Sequence, residues 1–187
     1  MSERKQAVLD AIDAANRQDP NHEDGQPAAL LYGQRMSAEL DRLFPKASDE
    51  LQIAARGQHV ERWKLARSEY PEGRAGYLAW RKAQGVHHAE VVMTMMEQNG
   101  YGAEETEAAG RMLRKQGIKR DGDVQALEDV ICFVFLKWYF APFATKHSAE
   151  KIQSIVEKTA RKMSSDGRAR VLSEFDLPAE LATAFQD

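Results

Sequence analysis

Residues 75–99 read AGYLAWRKAQGVHHAEVVMTMMEQN, and this stretch determines the fold class. Its apolar residues recur at spacings of three and four, as on one face of an α-helix, and Gly100 follows as a C-terminal stop. The same helical periodicity covers most of the chain on both sides, and no alternating pattern predicts a strand pair or hairpin. The sequence therefore predicts an all-α fold, a single-domain helical bundle over residues 1–187.

Proline, glycine and capping residues divide this pattern into successive helices. The third helix holds Ala54-Ala55-Arg56-Gly57, and because small residues let helices approach closely, we expect it to lie at the centre of the fold. The first five predicted helices cover residues 8–15, 27–43, 48–63 with Ser48 as cap, 75–99 and 104–116. The sixth is capped by Asp121 or Asp123 and the seventh by Ser148. Two short helices, 167–175 and 178–185, follow.

Composition limits the class of protein. The chain has 187 residues, 43% of them hydrophobic, which is typical of an ordinary globular protein. Its longest uncharged apolar stretches, 130–136 and 138–144, are much shorter than the roughly 20 residues that cross a bilayer. The charged N-terminus has no signal-peptide pattern, and the single Cys132 excludes a disulfide framework or a cysteine-rich zinc site. We therefore expect a cytoplasmic protein without a membrane partner.

Charge is unevenly distributed along the chain. The formal net charge is −3, yet residues 62–82 and residues 146–170 each carry a net charge of +4. Two basic segments in an otherwise acidic chain favour a local anion site over a nucleic-acid surface. Solvated helix faces would give the same counts.

The first basic segment interleaves arginine with aromatic residues. Guanidinium groups match phosphate or carboxylate geometry, and aromatic rings stack on planar groups. A structural network that ties down a long loop would have the same composition. The pattern predicts a small anionic or phosphorylated ligand, bound by Gln58, Arg62, Arg67, Arg74, Tyr77, Arg81 and Lys158.

Two further features suggest chemistry. Glu128 and Asp129 begin a helix that is apolar on every side, where a carboxylate costs several kcal/mol unless it is paired, hydrogen-bonded or bound to a cation. His59 lies in the small-residue helix, and His88 shares a helical face with Tyr77, Arg81 and Gln84. The alternatives are a paired structural carboxylate, a core histidine and a solvated face. His87 points about 100° away from His88 and is an equal candidate.

Three segments in order resemble the HD superfamily of metal-dependent phosphohydrolases. They are LQIAARGQHVERW at 51–63, the helix from His88 to Gly100-Tyr101, and QALEDVICFVFL at 125–136. The resemblance implies an HD-like core over about residues 28–140, with extra N-terminal helices and C-terminal helices at 148–185. It also implies a divalent metal ion held by His59, His88 and Asp129, with Glu61 or Glu128 carrying protons.

The chain departs from that superfamily at two places. Tyr32 stands where the superfamily has its first histidine ligand, and Gln58-His59 replaces its His-Asp pair. Almost the whole chain more closely resembles an uncharacterised family of bacterial and fungal proteins known only as a domain of unknown function. The matching segments are 58–64, 67–71, 74–81, 88–89, 127–129 and 158–164.

The leading hypothesis is a divergent HD-like hydrolase of a small phosphorylated substrate, nucleotides included. A metal-bound water would attack the phosphoester while arginines stabilise the developing charge. The departures at Tyr32 and Gln58 favour the alternative, a metal-free binding or regulatory module for a phosphorylated metabolite or protein partner. A non-haem iron oxygenase is a third hypothesis, and the net charge disfavours general nucleic-acid binding.

Overall fold

The structure is a computed structural model that describes residues 2–186, and these are helical almost throughout, so the all-α prediction is confirmed. Short 3₁₀ turns lie at Arg62–Lys64, Arg67–Glu69 and Thr183–Phe185, and a π-helical turn lies at Phe135–Tyr139. The α-helices are α1 Glu3–Asn16, α2 Ala28–Leu43, α3 Asp49–Arg56, α4 Gly73–Gln98, α5 Ala103–Leu113, α6 Gly122–Val134, α7 Phe140–Ala144, α8 Ala149–Lys162, α9 Ser165–Glu174 and α10 Ala179–Ala182.

The chain consists of two compact units, and the boundary between them lies between Gln116 and Gly117. The first unit contains α1 to α5 and the second contains α6 to α10. The single domain and the HD-like core therefore stay predictions. Among the described helices, none has the length and apolar character that crossing a membrane requires.

Helix α3 lies at the centre of the first unit, as its small residues predicted. Ala54 and Ala55 are fully buried. A Cβ atom at Gly57 would lie 2.4 Å from a methyl carbon of Val92 on α4, and one at Gly33 of α2 would lie 2.8 Å from the Arg56 carbonyl oxygen. The absence of those side chains lets α2, α3 and α4 pack closely together.

The predicted end of this third helix at Trp63 is wrong, because α3 ends at Arg56 with Gly57 as its C-cap. Glu61 has a left-handed backbone (φ 53°), which an α-helix cannot accommodate. Its N–H donates to the side-chain oxygen of Asn16 at 3.1 Å, a contact with α1 that holds the turn. His59 consequently lies on a turn that follows the helix.

A minimal hairpin lies between α1 and α2, although no pattern in the sequence predicted a strand pair. His22–Glu23 pairs antiparallel with Gln26–Pro27. Asp24 and Gly25 between them both have positive φ, 50° and 76°, as a two-residue type I′ turn requires. Two residues are too few to show alternation, so only this Asp-Gly pair could have signalled the hairpin.

Helix α6 of the second unit is buried as its apolar sequence predicted. Asp121 caps it by accepting the backbone N–H groups of Asp123 and Val124, which resolves the choice between the two aspartates. Ser148 caps α8 as expected, by accepting the N–H of Lys151. After α6 the helix widens for one turn, in which Phe140 N–H bonds to the Phe135 carbonyl.

Candidate functional site

Three rings from different parts of the first unit form a cluster that we call the imidazole cluster: Tyr32, His59 and His88. The Tyr32 and His59 rings stack, with centroids 3.5 Å apart and planes 11° from parallel. The ring centroids of His59 and His88 lie 6.1 Å apart. Helix α2 supplies Tyr32, the turn after α3 supplies His59, and the middle of α4 supplies His88. The close packing of these helices brings the rings together.

Buried polar atoms without partners occur in this cluster and in residues adjacent to it along the chain or on α4. His88 is 2% exposed, Gln84 is 1% exposed and Gln58 is 7% exposed. Neither ring nitrogen of His88 has a hydrogen-bond partner among the described residues, and the same holds for the side-chain oxygens of Gln58 and Gln84. Each such group costs about 1–3 kcal/mol, and folded proteins keep few of them. The cluster therefore has unused capacity to bind polar groups.

Gln84 also fixes the segment that carries Arg62. The Gln84 side-chain nitrogen donates to the backbone carbonyls of Arg62 at 2.9 Å and of Leu65 at 3.0 Å. Trp80 donates its indole N–H to the same Leu65 carbonyl at 2.9 Å. The Arg62 guanidinium lies over the Trp80 ring, 4.6 Å from its centroid. Helix α4 thus holds both the backbone and the side chain of Arg62.

Positive charge dominates the electrostatics of the site. Burial and then Arg62, with smaller contributions that include Arg81 and Lys115, lower the pKa of His88 to about 3. Burial and the same three cations hold the pKa of His59 well below its usual value. Burial and the neighbouring Arg81 lower the pKa of Arg62 as well. Both imidazoles are therefore neutral at neutral pH, and three cations of the first unit lower their pKa values.

These shifts predict acid sensitivity. The unfolded chain takes up a proton on His88 below about pH 6.5, whereas the folded protein does not until about pH 3. The unfolded state binds more protons in that window. The free energy of unfolding should therefore decrease as the pH is lowered, by about 1.4 kcal/mol per pH unit for this residue. Urea denaturation at several pH values between 7 and 4 measures the slope. His88→Leu should flatten it, whereas His22→Ala, at an exposed histidine, should not; equal slopes in all three proteins would contradict the assignment.

The other ligand-binding residues predicted in the first unit have varied surroundings. Arg81 donates to the Tyr77 hydroxyl at 3.0 Å, so these two lie together at the start of α4. Arg67 donates to the Tyr70 carbonyl at 2.8 Å, which fits the structural alternative of a tied loop. Arg74 is exposed. Glu61 pairs with Lys64 at 2.7 Å and lies 3.6 Å from a ring nitrogen of His87, so that His87 faces Glu61.

Asp129 belongs to the second unit, where its carboxylate has three hydrogen bonds. One oxygen accepts the Ser164 backbone N–H at 2.8 Å and the Gln125 amide at 3.1 Å, and the other accepts the Ser164 hydroxyl. Ser164 is the N-cap of α9 and accepts from Gly167 N–H at 2.9 Å. Asp129 therefore supports the start of α9, which agrees with the structural alternative.

The remaining predicted residues of the second unit are Glu128 and Lys158. Glu128 is 2% exposed and lies 3.8 Å from the Lys162 ammonium group, and Lys158 is exposed on α8. Within the part of the chain that the structure describes, no group of three or more His, Cys, Asp or Glu side chains could hold a metal ion. The metal site at His59, His88 and Asp129 and the catalytic roles of Glu61 and Glu128 stay predictions.

Sequence reasoning missed Lys115 as a neighbour of the two imidazoles. It follows α5 in a left-handed conformation (φ 57°), and its charge reaches both His59 and His88. No local motif marks it, because its position depends on how the end of α5 packs beside α4. Gln84 was recognised only as a member of a helical face, since its two backbone acceptors depend on the course of the loop before α4.

The chain was compared with protein families, curated proteins and solved structures. A family model described as a domain of unknown function, DUF4202, matches residues 6–184. No curated protein and no solved structure matches the chain.

Proposed function

This chain belongs to the DUF4202 family, and we propose that its first unit binds a small phosphorylated ligand beside the imidazole cluster. The observation that carries the proposal is a pair of imidazoles, His59 and the buried His88, whose ring centroids lie 6.1 Å apart and whose pKa values Arg62, Arg81 and Lys115 all lower. The family description supplies no activity, so the support comes from this geometry alone.

The charge arrangement is the first support. Like charges held close together repel, and a partly buried cation such as Arg62 gains if an anion comes between them. Arg62 already shows this repulsion, since burial and Arg81 lower its pKa. A phosphate group would relieve the repulsion, and the guanidinium could bind two of its oxygens in parallel.

The unpartnered histidine is the second support. A neutral imidazole carries one N–H donor and one acceptor nitrogen. His88 has both nitrogens available and little exposure, so a bound phosphate oxygen would satisfy its N–H. The half-buried His59 stacks on Tyr32, and its ring centroid lies 6.1 Å from that of His88, so it can contact the same ligand.

Titration with inorganic phosphate tests the proposal. Since a ligand stabilises the folded state by RT ln(1 + [L]/Kd), the midpoint of thermal unfolding should rise steadily with phosphate concentration. Chloride at matched ionic strength is the control and should have a much smaller effect. The pKa of His88, measured by NMR, should be higher with phosphate bound than without it, because the anion offsets the cations that depress this pKa. Equal responses to phosphate and chloride would overturn the proposal.

Hydrolysis of that ligand with a divalent metal ion is a second candidate. The observation that favours it is the pair of imidazole rings of His59 and His88, with centroids 6.1 Å apart. Burial lowers the pKa of both, which favours the neutral form in which imidazole binds metal ions. The three neighbouring cations oppose it, because they repel a metal ion unless an anion lies between. When bound, the metal would supply an activated water.

Metal content distinguishes the two candidates. If the protein is a metal-dependent hydrolase, mass spectrometry on protein purified without a histidine tag should find near-stoichiometric metal. The His59→Ala protein should lose this metal, and the His22→Ala protein should keep it. Metal-free wild-type protein that still binds phosphate would overturn the hydrolase and leave the binding module. Bound iron with oxygen consumption would instead support the oxygenase.

A further inference from the structure

The side-chain amide of Gln84 specifies what the ligand carries besides its phosphate. We infer that the ligand is a phosphate monoester bearing hydroxyl groups, whose hydroxyls donate to the side-chain oxygens of Gln84 and Gln58. This inference rests on the proposed function, because it assigns further contacts within the same site.

The orientation of the Gln84 amide is fixed by its surroundings. Its nitrogen donates to the carbonyl oxygens of Arg62 and Leu65, at 2.9 and 3.0 Å. A flipped amide would place its oxygen against two carbonyl oxygens and lose both hydrogen bonds. The Gln84 oxygen must therefore point away from the loop, and no donor among the described residues reaches it.

This acceptor belongs to the same local structure as the cations. Gln84 precedes His88 by one turn of α4, so the two side chains share a helical face. Its nitrogen holds the backbone of Arg62, whose guanidinium is one of the cations beside the imidazoles. Gln58, the second buried acceptor, immediately precedes His59. The buried acceptor of Gln84 and the Arg62 guanidinium thus belong to the same part of the first unit.

The ligand must satisfy both kinds of group. Phosphate oxygens satisfy the cations, but an ionised phosphate has at most one hydrogen to donate to two amide oxygens. Hydroxyl groups on the same molecule supply the missing donors. A site that buries unpaired acceptors rejects an analogue that lacks the matching donors, because its acceptors then remain unpaired.

Two esters with the same three-carbon skeleton and the same charge test the inference by calorimetry: glycerol 3-phosphate and propyl phosphate. The wild-type protein should bind glycerol 3-phosphate at least about tenfold more tightly. Gln58→Met should reduce this preference, because it should weaken the binding of glycerol 3-phosphate more than that of propyl phosphate. Gln98→Met, at an exposed glutamine of α4, is the control and should keep the full preference.

The outcomes separate the inference from the proposed function. Equal affinities for the two esters, with binding retained, would overturn the inference and leave a phosphate site whose acceptors are satisfied by water. Binding of neither ester nor inorganic phosphate would overturn the proposed function itself. Gln58→Met should unfold at the wild-type temperature or above, because the substitution removes an unpaired buried acceptor. A preference that survives in a folded Gln58→Met protein would exclude Gln58 from the contact.

Discussion

Replacing Asp129 with alanine should lower the free energy of unfolding by about 3 kcal/mol, since hydrogen bonds to charged groups contribute about 1.5–3 kcal/mol each and part of the loss is regained by hydration. The substitution removes the acceptor of the Ser164 backbone N–H, the Ser164 hydroxyl and the Gln125 amide. It also leaves a space beside Gly167, where the carboxylate now packs. Urea denaturation followed by circular dichroism measures the change.

Two variants make this result specific. Asp129→Asn keeps one acceptor oxygen and should lose less stability than Asp129→Ala. Asp176→Ala, at an exposed aspartate of the second unit, should change stability by less than about 0.5 kcal/mol. Full stability in Asp129→Ala, together with loss of metal or of turnover, would contradict the structural role and support the predicted metal ligand.

Replacing Arg62 with glutamine should weaken phosphate binding by about 10- to 100-fold. A charge-assisted hydrogen bond contributes about 1.5–3 kcal/mol, and each 1.4 kcal/mol is a factor of about ten in affinity. Among the cations, Arg62 lowers the pKa of both imidazoles the most, and its guanidinium lies over Trp80. The phosphate affinity of Arg62→Lys should lie between those of the wild type and Arg62→Gln, because lysine keeps the charge but lacks the planar guanidinium. Calorimetry with inorganic phosphate measures all three affinities.

Arg74→Gln is the matched control, because it removes the same charge from an exposed position in the first turn of α4. Its phosphate affinity should stay within about twofold of the wild type, as for a solvated surface charge. Arg62→Gln should also raise the pKa of His88 in the ligand-free protein, which NMR detects. Equal losses of affinity in the two variants would mean that only net charge attracts the anion.

The helices were predictable because their signals are local. Ser48, Asp121 and Ser148 each accept backbone N–H groups two or three residues ahead, so the sequence around each cap already determines the helix start. The end of α3 was not predictable in this way. Its turn depends on Glu61, whose conformation is held by Asn16, 45 positions away. Periodicity carries no information about such a distant contact.

The residues of the candidate site likewise differ in whether local sequence signals or distant contacts determine their surroundings. His59, His88 and Arg62 were found because their residue types suggest chemistry and their spacings place them on neighbouring elements. The role of Asp129 was predicted differently from what its contacts indicate, because its main partner, Ser164, lies 35 positions further along the chain. Burial of the carboxylate was correct, whereas the group that satisfies it could only be seen after folding.

The π-helical turn at Phe135–Tyr139 affects how this chain should be aligned with its relatives. A π-turn contains one more residue than an α-turn, because its hydrogen bonds join residues five apart instead of four. A relative with one residue fewer here would have an uninterrupted α-helix and the same downstream phase at Phe140 and Phe143. An alignment that forbids a gap at this point would shift every later position by one, and the resulting columns would compare residues on different helix faces.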